Sequence, residues 1–306
     1  MSGREPRLAI GSVSFKNRVF LASGPAGYGT EYVGLIDIAA LGGIVTKTIT
    51  REPRRGNPGR RLWETSAGLL NSIGLENVGA DAFFADKLPA LIAANATVIV
   101  SLGAEEWDEY CDLLDITSAH AEVAAVEINL SCPNVEGGGM VVGVDPGRIE
   151  RYVRRAREAL GETAVFAKIT PNVTDVAGLA QAAEKGGAHA VTAINTVVGV
   201  DLCPDLDEPV FRRVKAGLSG PAILPVALDA VWKISRAVDI PVIGVGGIAS
   251  IEDARKFFAA GASAVEIGTA IFSDPALPER IVEALERRGV PPAIRIPEGM
   301  GEDEWQ

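Results

Sequence analysis

The chain has 306 residues, 47% of them hydrophobic and 23% charged, with a formal net charge of −11. That length and balance fit a soluble globular protein with a large core, and the negative charge works against binding a phosphate backbone. Residues 1–17 hold no apolar core of signal-peptide length, and no run of about 18 apolar residues suits a membrane span.

In chain order, continuous apolar runs predict strands at 18–22, 43–48, 97–102, 124–130, 164–170, 189–195, 241–245 and 263–268. Amphipathic segments lie between them and have readable ends. Asp145-Pro146 starts one as N-cap and first-turn proline; Ser250 to Asp253 starts another, and Gly261 is placed to stop it. Gly186-Gly187 ends the segment that begins near Thr174. Eight strands alternating with helices predict a single α/β domain over residues 1–306, a (β/α)8 TIM barrel. Two inserts, 51–79 and 197–225, each follow a strand, so in a barrel both lie over the C-terminal face. Residues 291–306, rich in Pro, Gly and acids, read as a loose tail.

Unusual polar residues stand at the strand C-terminal ends: Ser23-Gly24, Lys47-Thr48, Asn129, Lys168, Asn195-Thr196, Gly246-Gly247 and Gly268-Thr269. In a barrel these ends meet at one mouth. Glycines closing both of the last two strands favour a bound phosphate, although tight turns explain either pair alone. A rival reading takes Gly244 to Ala249 as the G-x-G-x-x-A of a dinucleotide fold, with Glu266 downstream. Lys47 and Lys168 end apolar strands without an adjacent acid, so a bound anion is the expected partner, with a long-range salt bridge as the alternative. Asn71, Asn129, Asn134 and Asn195 offer uncharged donors and acceptors that suit a planar, amide-rich ligand such as a pyrimidine.

Three scattered cysteines and two histidines do not make a disulfide framework or a self-contained metal site, and a reducing cytoplasm is the simplest compartment. Cys111 shares a helix face with Trp107 and Leu114 and reads as structural; Cys203 is uninformative. Cys132, in the stretch E-I-N-L-S-C-P-N-V, has no partner cysteine or paired histidine, which leaves a general base or an inert residue. The glycines at 137–139 just after it suit a moving lid.

Asn129-Leu130-Ser131-Cys132-Pro133-Asn134 resembles the active-site loop of the dihydroorotate dehydrogenases that use cysteine as base. Supporting segments include Lys47-Thr48, Arg55-Gly56-Asn57-Pro58, Asn71 to Leu75, Lys168 to Asn172, Ile194-Asn195-Thr196, Gly217 to Ala222 and Gly244 to Ile248; together the resemblance runs from about Leu8 to Arg288. It implies an FMN barrel that oxidises dihydroorotate to orotate in pyrimidine synthesis. Cys132 would take the proton from C5 while hydride leaves C6. Lys47, Asn71, Asn129, Asn134, Asn195 and Thr196 would hold the substrate, with Ser72, Ile73, Gly74 and Leu75. Ser23, Lys47, Thr48, Ser101, Asn129, Lys168 and Ile194 would line the flavin, and Gly220, Gly246, Gly247, Gly268 and Thr269 its ribityl chain and phosphate.

The loop V-E-G-G-G-M-V-V-G looks like the class 1B form, which implies a partner subunit with FAD and a 2Fe–2S cluster, electrons passed to NAD, and a homodimer within a heterotetramer. Three positions depart from the family pattern: Ser101 for asparagine, Leu224 for lysine and Ala216 for glycine. The alternatives are a fumarate-using class 1A type, an enzyme like dihydropyrimidine dehydrogenase, and a barrel that binds a phosphate ligand without redox activity.

Overall fold

The computed structural model of the protein describes residues 8–130, 142–203 and 209–295. Eight strands close into a parallel barrel: β3 (Val19–Leu21), β4 (Gly43–Val45), β7 (Val98–Leu102), β8 (Ala125–Asn129), β9 (Ala164–Lys168), β10 (Ala190–Ala193), β13 (Val242–Val245) and β14 (Ala264–Ile267). The remaining strands are β1 (Leu8–Ile10), β2 (Val13–Phe15), β5 (Leu62–Thr65), β6 (Gly68–Asn71), β11 (Val197–Gly199) and β12 (Ala216–Ser219). Each barrel strand falls inside one of the eight runs read from sequence.

The connections are helical. Short α1 (Ala80–Ala82) runs through a π-turn (Phe83–Lys87) into α2 (Leu88–Ala93). Then come α3 (Trp107–Ser118), α4 (Pro146–Leu160), α5 (Val176–Lys185), α6 (Leu224–Ala237), α7 (Ile251–Ala259) and α8 (Leu277–Arg288). The first unit departs from the pattern: β3 and β4 are joined by two 3-10 turns, Thr30–Tyr32 and Ile38–Ala40. The expected caps are in place. The Asp145 carboxylate accepts from the Gly147 and Arg148 amides, and Ser250 Oγ accepts from the Asp253 amide. Each closes orphan donors of a first turn.

Strand residues alternate between two cores, as the period of two requires. Val98, Val100, Val126, Ile128, Val265 and Ile267 face the helices. Ile99, Ala125, Phe166, Ile243 and Ala264 face the barrel axis, where they pack with Leu8, Ile10 and Phe15 of the β1–β2 hairpin. Phe15 is fully buried and sits 5.0 Å from the Phe20 ring and 6.2 Å from Phe166. The hairpin thus stoppers the N-terminal end of the barrel. One layer higher, the inward positions turn polar: Ser101, Glu127, Lys168, Thr192 and Glu266.

Both inserts reach the C-terminal face, as expected, but they are not loops. They form one four-stranded antiparallel sheet in the order β11-β12-β6-β5, with β6 paired to β12. Leu70, Val210, Phe211 and Ala216 give it a small core of its own. Sequence periodicity misses this sheet because three of its four strands carry glycine and the β6–β12 pairing that joins the two inserts is long-range.

Candidate active site

A cleft of about 1360 Å³ opens at the C-terminal end of the barrel, under that sheet. All eight barrel strands contribute to its wall through residues at or just beyond their ends: Ser23, Lys47 and Thr48, Ser101, Asn129, Lys168, Asn195, Gly246, and Gly268. The sheet and its turns add Asn71 to Leu75, Gly217 and Gly220. Thus every candidate position in the described residues lies in one cavity, including Ser72, Ile73, Gly74, Ile194, Thr196, Gly247 and Thr269. Cys132, Asn134 and the glycine-rich lid segment lie outside the described residues, as do residues 296–306 of the tail.

A chain of hydroxyls and amides crosses the floor. Thr48 Oγ1 lies 2.9 Å from Ser101 Oγ and 3.4 Å from Ser23 Oγ. The Asn129 amide donates to Thr48 Oγ1 at 3.3 Å, and the Asn195 amide donates to Asn129 Oδ1 at 3.4 Å. Asn195 Oδ1 in turn accepts from the Thr196 N–H at 2.8 Å. The ends of five strands are thereby linked through neutral groups, each with donor or acceptor capacity left over. Ser101, one of the departures noted in the sequence, is part of this chain. The Ala193–Ile194 peptide at the end of β10 is cis.

The two lysines part company. Lys168 is buried, with Nζ 2.9 Å from Glu266 Oε2 and 3.4 Å from Glu127 Oε1, so the expectation of a ligand anion as its partner is corrected. Its counter-charges come from strands 98 and 41 residues away, which local sequence does not reveal. Burial lowers its proton affinity, but the two carboxylates outweigh burial and hold the ammonium above its ordinary value. Lys47 has no carboxylate within salt-bridge distance among the described residues. Burial pushes its ammonium down, and Glu76 opposes this only in part. For Lys47 a bound anion remains the expected partner.

The dinucleotide reading falls with the same observation. The 242–267 unit is part of a closed barrel, and Glu266 points to the axis against Lys168 instead of standing at a strand end to meet a ribose.

Two turns shape the cleft through glycine. Gly246 and Gly247 have φ of 126° and 77°, and a β-carbon on Gly247 would stand 2.6 Å from the Leu224 nitrogen. Only glycine lets the backbone turn there and leave space beside the start of α6. In the turn after β6, Gly74 and Leu75 also have positive φ, 74° and 55°. Asn57 fixes this turn: its amide donates to Ser72 O and Ser72 Oγ at 3.1 Å, and its own N–H donates to Ile73 O at 2.9 Å. Asn57 was not singled out as a site residue. Nor was Asn172, whose side chain donates to Thr196 O at 3.0 Å and accepts from Val198 N–H at 2.8 Å. Glu127 and Glu266 carried a signal that was available: both sit in the tetrapeptide A-V-E-I, a charge in mid-strand among apolar residues.

A closed parallel barrel with convergent polar groups at the strand C-termini, roofed by inserts, defines an α/β-barrel enzyme. The chain belongs to the dihydroorotate dehydrogenase family: the profile described as Dihydroorotate dehydrogenase matches residues 7–288. A relative from Trichlorobacter lovleyi is 47% identical over 278 residues, 91% of each chain. One from Solidesulfovibrio magneticus is 47% identical over 270 residues, 88% of each, and one from Geobacter sulfurreducens 45% identical over 278 residues, 91% of each. All three carry the name Dihydroorotate dehydrogenase B (NAD(+)), catalytic subunit.

Proposed function

We propose that this chain is the FMN-bearing catalytic subunit of an NAD-linked dihydroorotate dehydrogenase. It oxidises dihydroorotate to orotate in pyrimidine synthesis, in the cytoplasm. The reading rests on one observation above the others: candidate residues from eight strands and two distant inserts share a single cleft.

The donor set suits FMN. Gly246 and Gly247, with Gly268 and Thr269, form a backbone cradle at the ends of β13 and β14, the usual place for a phosphate on such barrels. Gly220 adjoins them from β12. Ser23, Thr48, Ser101 and Asn129 offer neutral hydrogen bonds, Ile194 an apolar wall, and Lys168 a fixed cation. FMN held there supplies an acceptor for the hydride that leaves C6 of the substrate.

The protein's own residues do the rest. Lys47, still in need of an anion, receives the substrate carboxylate together with the backbone of the 73–75 turn that Asn57 fixes. Asn71, Asn129, Asn134, Asn195 and Thr196 pair with the amide edges of the pyrimidine ring. Cys132 follows the cleft residue Asn129 by three positions and takes the proton from C5. An ordinary thiol near pKa 8.5 is a poor base at neutral pH, and we assign its activation to the positive charge of Lys47. The C5 proton thus goes to the thiolate and the C6 hydride to the acceptor, which balances the oxidation.

A second subunit carrying FAD and a 2Fe–2S cluster, in a heterotetramer built on a dimer of this chain, would supply the route for these electrons to NAD. The relatives' name, catalytic subunit, supports a second subunit. The test is an anaerobic visible spectrum of the purified chain before and after dihydroorotate is added. A flavin spectrum that bleaches is the expected result. A flavin that stays oxidised would send the reading to another pyrimidine, and no flavin after reconstitution would end it. Efficient fumarate reduction by the lone chain would move it to the partner-free class.

A further inference from the structure

Two acids lie in the barrel interior that the proposed reaction does not use. Glu127 on β8 and Glu266 on β14 are both fully buried, and both face the one ammonium of Lys168, at 3.4 and 2.9 Å. Lys168 also lines the cleft, so it stands between the acids and whatever is bound above.

One cation cannot neutralise two carboxylates. If both acids were ionised, one negative charge would stay uncompensated in the dry interior, which is strongly unfavourable. Among the described residues no other cation lies within salt-bridge distance of either acid. The inward positions of the same level on neighbouring strands, Ser101 and Thr192, are uncharged. Lys47 stands higher, at the mouth, with no carboxylate within salt-bridge distance among the described residues. A proton resolves the imbalance. Both Glu127 oxygens and Glu266 Oε1 lack a hydrogen-bond partner among the described residues, and the two side chains lie close enough to bond each other once one is protonated. A neutral carboxyl is a donor, so a single proton supplies the missing bond.

We propose that Glu127 and Glu266 are positioning residues that share one proton beneath the cleft, and thereby hold Lys168 as a fixed cation toward its occupant. The proposal rests on the reading of that occupant as FMN. The proton belongs to the pair rather than to one acid. Burial and the neighbouring Glu127 push Glu266 up to about 8, against the pull of Lys168. Below that pH the three groups are neutral together. Above it a second carboxylate appears under the floor and draws the ammonium down and away from the cleft.

The test has two readouts on the full-length protein. Infrared spectra need no flavin: at pH 7 the wild type should show the carbonyl band of a protonated carboxyl, which fades as pH rises through about 8. The band should be missing from both Glu266→Gln and Glu127→Gln, because either leaves one acid paired with one lysine. FMN titration is the second readout. The wild-type dissociation constant should rise above about pH 8, by at most about tenfold per pH unit, as linkage to one proton allows. In Glu266→Gln it should be flat across that window. No protonated carboxyl in the wild type at pH 7, or a band that survives both substitutions, would overturn the proposal, and the wild-type spectrum decides even if a variant fails to fold. A band without any FMN binding would instead overturn the reading of the cleft, and with it the role given to Lys168.

Discussion

Thr196, just past β10, occupies the space that a side chain at position 217 on β12 would need. A β-carbon on Gly217 would collide with Thr196 Oγ1 and lie 3.2 Å from Asn71 Nδ2, while the Asn71 amide donates to Gly217 O at 2.9 Å. Two residues assigned to the substrate therefore close on one glycine. Gly217→Ala should displace both and raise the KM for dihydroorotate by about tenfold, or ~1.4 kcal/mol. FMN content should be unchanged. An unaltered KM in steady-state assays would show that Thr196 and Asn71 do not hold the substrate together.

The base assignment has its own test. Cys132→Ala should slow flavin reduction by dihydroorotate by about 10²- to 10⁴-fold, the range for losing a general base. Cys132→Ser should keep part of the activity with its optimum at higher pH, since a hydroxyl is harder to deprotonate than a thiol. Stopped-flow reduction at full wild-type speed in Cys132→Ala would remove the cysteine from the mechanism.

The cradle predicts a binding defect. In Gly247→Ala, a residue forced into left-handed backbone costs about 1–2 kcal/mol. The new methyl would also press on the Leu224 nitrogen from 2.6 Å. The turn must move, and FMN affinity should fall by at least about tenfold. Equilibrium titration of apoprotein with FMN measures this, and wild-type affinity would show that the phosphate lies elsewhere.

Stability should depend on pH through the barrel floor. His189 Nδ1 accepts the Val165 N–H at 2.9 Å and lies 3.4 Å from Arg157 Nη1, so the ring is neutral there with its proton on Nε2. Burial first, and then Arg157, hold its pKa below the ordinary 6.5. The unfolded chain therefore takes up this proton at higher pH than the folded one. The contribution of His189 to stability is full above about 6.5, falls as pH drops through it, and levels off below the folded value. The shared carboxyl proton of Glu127 and Glu266 gives wild type and His189→Gln alike a slope of the opposite sign in this range, so the difference in urea midpoint between them should follow the His189 course between pH 7 and 5. An identical slope in the variant would clear His189.

Much of the barrel was legible because its strands are covered on both faces and so read as unbroken apolar runs. The caps at Asp145 and Ser250 were legible because they are local chemistry. The roof was not: β6 and β12 find each other across about 146 residues, and neither carries a periodic pattern. Lys168 was placed at the mouth but given the wrong partner, for a similar reason. Its counter-charges come from two other strands: β8 pairs directly with β9, but only the closed ring brings β14, three strands further round, to face β9's lysine across the interior. The twin A-V-E-I tetrapeptides could have warned of this, since a glutamate in a two-face-buried strand demands a partner.

Among the described residues, the hairpin wedge around Phe15 closes the N-terminal end of the barrel and leaves the C-terminal mouth as its opening. Whatever reacts inside must come and go by the same doorway, beneath the roof made by the two inserts. Orotate therefore has to leave before a new dihydroorotate is seated, and the product will compete with its own precursor for the enzyme. In a cell, the step that consumes orotate would set the pace of this one by keeping the doorway clear.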